Sequence, residues 1–287
     1  MKRLIYLLVI SIGVTLTAVM FPLPRAKAIT YGFVDITNTH RNTGAFVVKA
    51  PDGQIFPICS GTLITPEVFL TASHCTEYYT QQVEPFGGIA YVSLDSSLPF
   101  GPLTSMSTNL LPVTHVVTNP NFNQSQSDPG DIGALILASP VNGVTPAALP
   151  ACGLLEELRE QNGLKDATFT VVGYGLQNRV VSGGIPFFQN LNPVPRMFAL
   201  SSFNSLGPGY LRLSQNPSTG NGGACFGDSG GPNFLSVSGQ PILAAITITG
   251  DTVCRSTNVA YRLDIPSALS FLHYVNGAFG THIPVNC

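Results

Sequence analysis

The stretch "GGACFGDSGGP", residues 222–232, sets five glycines and a proline around one serine, Ser229. Glycine loses more backbone freedom on folding than any other residue, so a run this dense must serve a backbone purpose. A serine hydroxyl is a weak nucleophile at neutral pH. To attack a carbonyl it needs a base to take its proton, a group to orient that base, and donors for the developing oxyanion. Glycines let backbone N–H groups approach a reacting atom with no Cβ in the way, and they permit turns of positive φ. "GDSGG" therefore reads as an exposed nucleophile in a nest of amides.

The base appears upstream in "CSGTLITPEVFLTASHC", residues 59–75. His74 follows a strand-like run and sits beside Cys75. A bridge from Cys75 to Cys59 would close a short loop, worth about 3 kcal/mol in the chain-entropy account, and would hold the histidine rigidly. His40, His115, His273 and His282 have no comparable setting. The third member is a carboxylate that fixes the imidazole tautomer. Asp131 opens "DIGALIL" (131–137), a strand that begins at the acid, whereas Asp128 belongs to "DPG", an ordinary turn signal.

Composition bounds the rest. The 287 residues are 44% hydrophobic and 10% charged, with 29 Gly, 23 Pro and no Trp, which favours short strands and many turns over long surface helices. All four charges in residues 1–28 are positive (Lys2, Arg3, Arg25, Lys27), leaving 9 basic against 15 acidic groups in the remainder. That surplus of acid argues against nucleic acid or an anionic membrane as partner. Residues 1–28 read as an export leader. "MKR" is the positive start, "LIYLLVISIGVTLTAVMF" the apolar stretch, and "AKA" (26–28) a small-x-small cleavage site. An uncleaved anchor is the competing reading, since about 18 apolar residues is the lower limit for spanning. Export makes the six cysteines disulfide candidates, with 15 connectivities open if all pair. No Cys-x-x-Cys or paired histidine occurs at ligand spacing, so neither a metal nor another cofactor is expected.

From Ile29 onward, strand candidates such as "GAFVVKA", "EVFLTA", "TFTVVGYG", "YLRLS" and "PILAAITIT" alternate with turn clusters. Only "GLLEELREQ" (153–161) and "IPSALSFLHYV" (265–275) carry a helical pattern, the latter with a stripe at Ile265, Leu269, Leu272 and Val275. "NPNFNQSQSDPG" (119–130) reads as a surface loop, and no internal repeat is visible. Closely spaced strands without intervening helices indicate an all-β sandwich or barrel. Residues 140–165 form the natural seam between two halves.

Four stretches in order, "TASHC", "DIGALIL", "VVGYG" (171–175) and "GDSGGP", make the chain resemble the trypsin/chymotrypsin-like serine peptidases. The terminal "VAYRLDIPSALSFL" is similar to that family's last strand and helix. The resemblance implies two six-stranded antiparallel Greek-key barrels, 29–150 and 151–287, the second ending in the helix. His74 and Asp131 would come from the first barrel and Ser229 from the second, with the N–H groups of Gly227 and Ser229 as oxyanion hole. It implies bridges Cys59–Cys75, Cys225–Cys254 and Cys152–Cys287. It also implies a secreted, monomeric endopeptidase acting on protein or peptide substrates. Gly223, six residues before the nucleophile, falls at the pocket base, which does not favour Arg or Lys. Gly250 would let a substrate strand pair with its backbone. Val259 stands near a common glycine and would narrow the pocket, and Arg255 leaves acidic selectivity open. Three departures stand out, one of them Gly133 in "DIGALIL" for a usual alanine. Ser73 replaces a usual alanine, and "ITG" (248–250) replaces a usual Ser-Trp-Gly, removing a hydroxyl expected to bond the triad aspartate. The resemblance further implies that a cut before Ile29 frees an α-ammonium to pair with Asp228.

Two other readings fit parts of the chain. "GDSGG" also satisfies Gly-x-Ser-x-Gly, the nucleophile elbow of α/β-hydrolase esterases, but only 58 residues follow Ser229 and they carry one evident helix. A secreted binding protein on a peptidase fold is the second, and such proteins usually lack a triad member.

Overall fold

The computed structural model describes residues 29–99, 101–102, 109–182, 185–189 and 192–285; for 101–102, 178–182 and 185–189 it describes the backbone alone. The leader assigned to 1–28 and Cys287 lie outside the described residues. Apolar runs dominate the first six strands: β1 (Thr43–Lys49), β2 (Gln54–Leu63), β3 (Val68–Thr71), β4 (Ile89–Ser93), β5 (Leu111–Thr118) and β6 (Gly133–Leu137). They pair antiparallel in the order β1-β4-β5-β6-β3-β2, and β1 pairing back with β2 closes a six-stranded barrel. A second set follows: β7 (Thr168–Gly173), β8 (Met197–Leu206), β9 (Tyr210–Ser214), β10 (Pro232–Val237), β11 (Gln240–Gly250) and β12 (Thr257–Arg262). Its order is β8-β7-β10-β11-β12-β9, closed by β8 on β9. Going round each barrel, the strands follow one another in the same cyclic order. The repetition of topology has no counterpart in the residues. Closure bends the strands, and bulges sit at Phe46/Val47 in the first barrel and at Thr247/Thr249 in the second.

Strand β9 shows why these segments settle as they do. In "YLRLS" Leu211 and Leu213 are buried and Arg212 points away, the two-residue period of a half-covered strand. Helix α1 (Ser73–Tyr78) carries the histidine, and α2 (Leu154–Glu160) crosses the seam. Asp264, just beyond β12, caps α2 by accepting the Leu155 N–H at 2.8 Å. Helix α3 (Pro266–Phe279) begins with Pro in its first turn and ends at Gly280 at φ 65°, burying Ala268, Leu269, Phe271, Leu272 and Val275. All of these but Leu269 share one core with first-barrel residues such as Val117 and Leu135, and Phe279 packs on His115 with ring centres 4.9 Å apart. The terminal helix is thus a strap from the second barrel back to the first. No parallel sheet is present among the named strands, so a nucleophile elbow of the α/β-hydrolase kind has no seat here.

The loop between Ile29 and β1 ties both barrels. Arg196, fully buried, donates from Nε to Asp35 at 2.9 Å and from one terminal nitrogen to the Thr43 and Leu94 carbonyls; the other terminal nitrogen bonds Asn38. Among the described residues no helix is long and apolar enough to cross a membrane.

Candidate active site

Helix α1 is short and rich in weak helix formers, so its surroundings hold it. The Cys59–Cys75 disulfide, with Cα atoms 6.3 Å apart, staples it to β2. Asp131 then fixes the next residue twice: Oδ1 accepts the His74 N–H at 2.9 Å, and Oδ2 lies 2.9 Å from His74 Nδ1. Asp131 is 3% exposed. This pairing holds the proton on Nδ1 and leaves Nε2 as the basic nitrogen. Among the described residues the bond to Asp131 is the ring's one hydrogen bond.

Ser73 takes part in a way the sequence did not show. Its buried Oγ donates to the Ile132 carbonyl at 2.7 Å and accepts the Asn119 N–H at 2.9 Å. The hydroxyl therefore ties the histidine helix to the residue after Asp131. A small substitution has become a brace between base and acid.

Ser229 arrives from the loop between β9 and β10. First-barrel Ser60 receives it: the Ser60 N–H donates to the Ser229 carbonyl at 2.8 Å, and Ser60 Oγ donates to the Gly227 carbonyl at 3.0 Å. Cys75 Sγ lies 3.9 Å from the same Ser229 carbonyl, so the serine is seated against the histidine loop. Gly227 and Gly230 sit at φ 96° and 79°, where L side chains are strained.

These turns aim two amides outward. The Phe226 carbonyl is bound by the Leu176 N–H at 2.7 Å, and the Asp228 carbonyl by the Gly231 N–H at 2.8 Å. A trans peptide puts its N–H opposite its carbonyl, so the N–H groups of Gly227 and Ser229 face away from those anchors. Neither donates to an acceptor among the described residues, whereas the Asp228, Gly230 and Gly231 amides between and after them are all engaged. Two unused donors flank the nucleophile, the chemistry an oxyanion requires.

Below this turn lies Asp228, fully buried. Its oxygens accept N–H groups of Gly175 and Cys225, both at 2.8 Å, and no basic group pairs with it among the described residues. Burial dominates these bonds and raises its pKa to about 7. Ile29 is also buried, at φ 44°. Thr30 bridges Gly223, and its hydroxyl donates to the Cys254 carbonyl at 2.7 Å. The segment starting at Ile29 is thereby docked on the loop leading to Ser229.

Behind Ser229 opens a cavity of 240 Å³, walled by Ala224, Cys225, Thr247, Gly250 and Asp251 among others. Gly250, expected from the resemblance to lie at the specificity pocket, lines it. Gly223 stands behind its wall next to Gln215, and Val259 on β12 packs toward the core; neither is among its lining residues. The exposed Arg255 stacks over Tyr31. The Cys225–Cys254 disulfide, with Cα atoms 5.2 Å apart, crosses this wall. Cys152 is disulfide-bonded, and the assignment of Cys287 as its partner falls outside the described residues. Cys59, His74 and Cys75 bring potential metal ligands within 4.8 Å of one another, but the two sulfurs are joined in a disulfide and offer no thiolate.

Residues 33–272 match the family described as Trypsin. Trypsin-1 of the crayfish Astacus astacus is 26% identical over 226 residues, covering 74% of this chain and 87% of that protein. Vitamin K-dependent protein C of Mus musculus is 26% identical over 241 residues, covering 78% of this chain and 47% of that protein. The cat protein, also vitamin K-dependent protein C, is 31% identical over 160 residues, covering 52% of this chain. The chain thus spans about half the length of the mouse and rat protein C sequences it matches. With the double barrel and the match across 33–272, the chain belongs to the trypsin/chymotrypsin-like family of serine peptidases.

Proposed function

We propose that this protein is a secreted serine endopeptidase, acting as a monomer on protein or peptide substrates. The carrying observation is the convergence of His74, bonded to Asp131 at 2.9 Å, with a serine flanked by two unused amide donors. Ser229 Oγ attacks the substrate carbonyl while His74 Nε2 takes its proton. The oxyanion settles on the Gly227 and Ser229 N–H groups. The C–N bond then breaks, and the proton passes from His74 to the leaving amine. Water, deprotonated by the same imidazole, cleaves the acyl-enzyme and returns the proton to Ser229. Asp131 holds the tautomer and stabilises the imidazolium without taking the proton. No step calls for a metal or cofactor. Ser229→Ala is expected to lose both covalent labelling by a serine-directed phosphonate and nearly all peptidase activity; labelling retained at another residue would contradict the assignment. A binding protein on this fold is not favoured, since the chain keeps a histidine, an aspartate and a serine at all three candidate positions.

Export follows from the leader at 1–28 and agrees with the disulfides, which persist in oxidising compartments. Removal of the leader at "AKA" would make Ile29 the first residue. Two features support this as the activating event. A β-branched residue at φ 44° is strained while the chain continues through it, and a terminal residue is released from that constraint. The buried Asp228 also has no cation beside it among the described residues, and an α-ammonium at Ile29 would supply one. The aspartate raises the amine's pKa above its usual value of about 8, so the pair is complete below that pH and is lost as pH climbs through the raised value. N-terminal sequencing of active secreted protein should read Ile-Thr-Tyr-Gly; full activity in a chain starting well beyond Ile29 would exclude the mechanism.

A further inference from the structure

The loop that carries Ser229 is held by groups from both barrels. Three consecutive N–H groups follow β7. Tyr174 donates to Ser60 Oγ at 3.0 Å, Gly175 to Asp228 Oδ1 at 2.8 Å, and Leu176 to the Phe226 carbonyl at 2.7 Å. The last two grip the loop directly. The first ends on a first-barrel hydroxyl, which extends the grip, because Ser60 Oγ donates to the Gly227 carbonyl at 3.0 Å. The sense of both bonds is settled: a backbone N–H only donates and a carbonyl only accepts.

Gly227 is where such a grip matters. Without a Cβ, and at φ 96°, it has little torsional preference of its own to hold it. Its N–H belongs to the peptide plane that begins at the Phe226 carbonyl, and its carbonyl to the plane that ends at Asp228. Leu176 anchors the first plane. In the second, the Asp228 N–H bonds back to the Cys225 carbonyl at 3.0 Å within the same turn, so among the described residues Ser60 is the anchor from outside the loop. With both planes fixed, the Gly227 N–H keeps one direction.

Ser60 reaches the second oxyanion donor as well. Its N–H donates to the Ser229 carbonyl at 2.8 Å. One first-barrel residue therefore bonds the carbonyls of Gly227 and Ser229, the two residues whose own N–H groups are unused among the described residues. It is fully buried on β2 and follows Cys59, which the disulfide to Cys75 ties to the His74 helix. The same stretch of β2 thus sets the base and the oxyanion donors in one frame. The N–H of Ser60 survives any substitution except proline, so the hydroxyl can be removed by itself.

We propose that Ser60 is a positioning residue for the oxyanion hole, acting through Gly227 and not on the substrate. This rests on the serine-peptidase reading above, and the test separates the two. An oxyanion exists only after Ser229 has attacked, so loss of the hydroxyl should weaken the transition state and leave substrate binding alone. In Ser60→Ala, kcat on a peptide amide should fall by about tenfold with KM unchanged, less than the roughly 10²–10³-fold loss on deleting a donor outright. Ser60→Gly should match it. A peptide aldehyde should bind about tenfold more weakly to both variants: its carbon takes a bond from Ser229 Oγ, the serine proton passes to His74, and its oxygen enters the hole. The peptide alcohol of the same sequence forms no such bond and should bind as before. Labelling of Ser229 by a serine-directed phosphonate, carried to completion, counts the folded sites, so that rates are taken per site. A rise in KM that accounts for the lost kcat/KM, equal weakening of aldehyde and alcohol, or unchanged kinetics in both variants would overturn the proposal, and labelling of wild-type Ser229 would leave the peptidase assignment standing. A wild-type protein that neither labels at Ser229 nor cleaves peptides would remove both.

Discussion

The two barrels share a strand order yet bring unlike halves to the site. The first contributes His74 and Asp131 already assembled: a disulfide-stapled helix, two bonds from His74 to one carboxylate, and Ser73 bracing the spacing. The second contributes Ser229 on a turn where, among the described residues, the buried Asp228 has no cation and two flanking amides are unused. One half is complete in itself. The other holds, among the described residues, a buried carboxylate with no cation and two unused amides, which the proposed N-terminus and a substrate would engage. A site divided in this way can fold fully while remaining inactive.

The largest effects should come from the groups that do the chemistry. Ser229→Ala or His74→Ala should lower kcat by roughly 10⁴-fold or more, since triad members act as a unit. Asp131→Asn should lower kcat by about 10⁴-fold through the wrong tautomer, with little change in thermal stability. If Asp131→Asn instead unfolded the chain, the preassembled half would owe its order to that carboxylate more than to the disulfide.

The pH dependence of stability sharpens the comparison. In the chain still continuous before Ile29, Asp228 has a folded pKa of about 7, above its unfolded value. The folded state then binds more protons between roughly pH 4 and 7, so stability is greatest below that window and falls as pH rises through it. Asp228→Asn should flatten the slope, and so should processing to Ile29. Thermal melts of the three forms across pH 4–8 would show this; identical slopes would contradict it.

Arg196 tests what joins the halves. Arg196→Met leaves Asp35 buried beside an apolar group and should cost about 3–5 kcal/mol in denaturant unfolding. Ser73→Ala is the smallest change. It removes one buried hydroxyl bridge, about 1 kcal/mol by the usual net value, and should lower kcat a few-fold while leaving KM alone.

The chemistry of the site was legible in sequence because it sits in short motifs. "TASHC", "DIGALIL" and "GDSGGP" each bring a reactive group with its local setting, and the structure pairs the first two groups directly, His74 with Asp131 at 2.9 Å. The strands were legible where apolar runs are dense, as in β3 and β6, and less so where they are thin. In β8, "MFALSSFNSL" mixes Ser and Asn with apolar residues: burial alternates only over Met197–Ser201, and the second half has no buried residue. Helix α1 was missed because Ser, His, Cys and Thr are weak helix formers, and its order comes from the disulfide and Asp131. Ser60 and Ser73 escaped for another reason. Each acts on a group far away in the chain: Ser60 meets Gly227 across 167 positions, and Ser73 meets Ile132 across 59. No local pattern marks such residues. The shared topology of the two barrels was equally hidden, since cyclic strand order depends on pairing and not on residue identity.

The division of the site into a finished half and a charge-deficient half is tested most directly by the rate at which a serine-directed phosphonate labels Ser229 in two forms of the protein. One begins at Ile29, and the other retains Ala28 before it. The account predicts a single adduct on Ser229, formed much faster in the first form. Equal rates in both forms, or an adduct on any other residue, would contradict it.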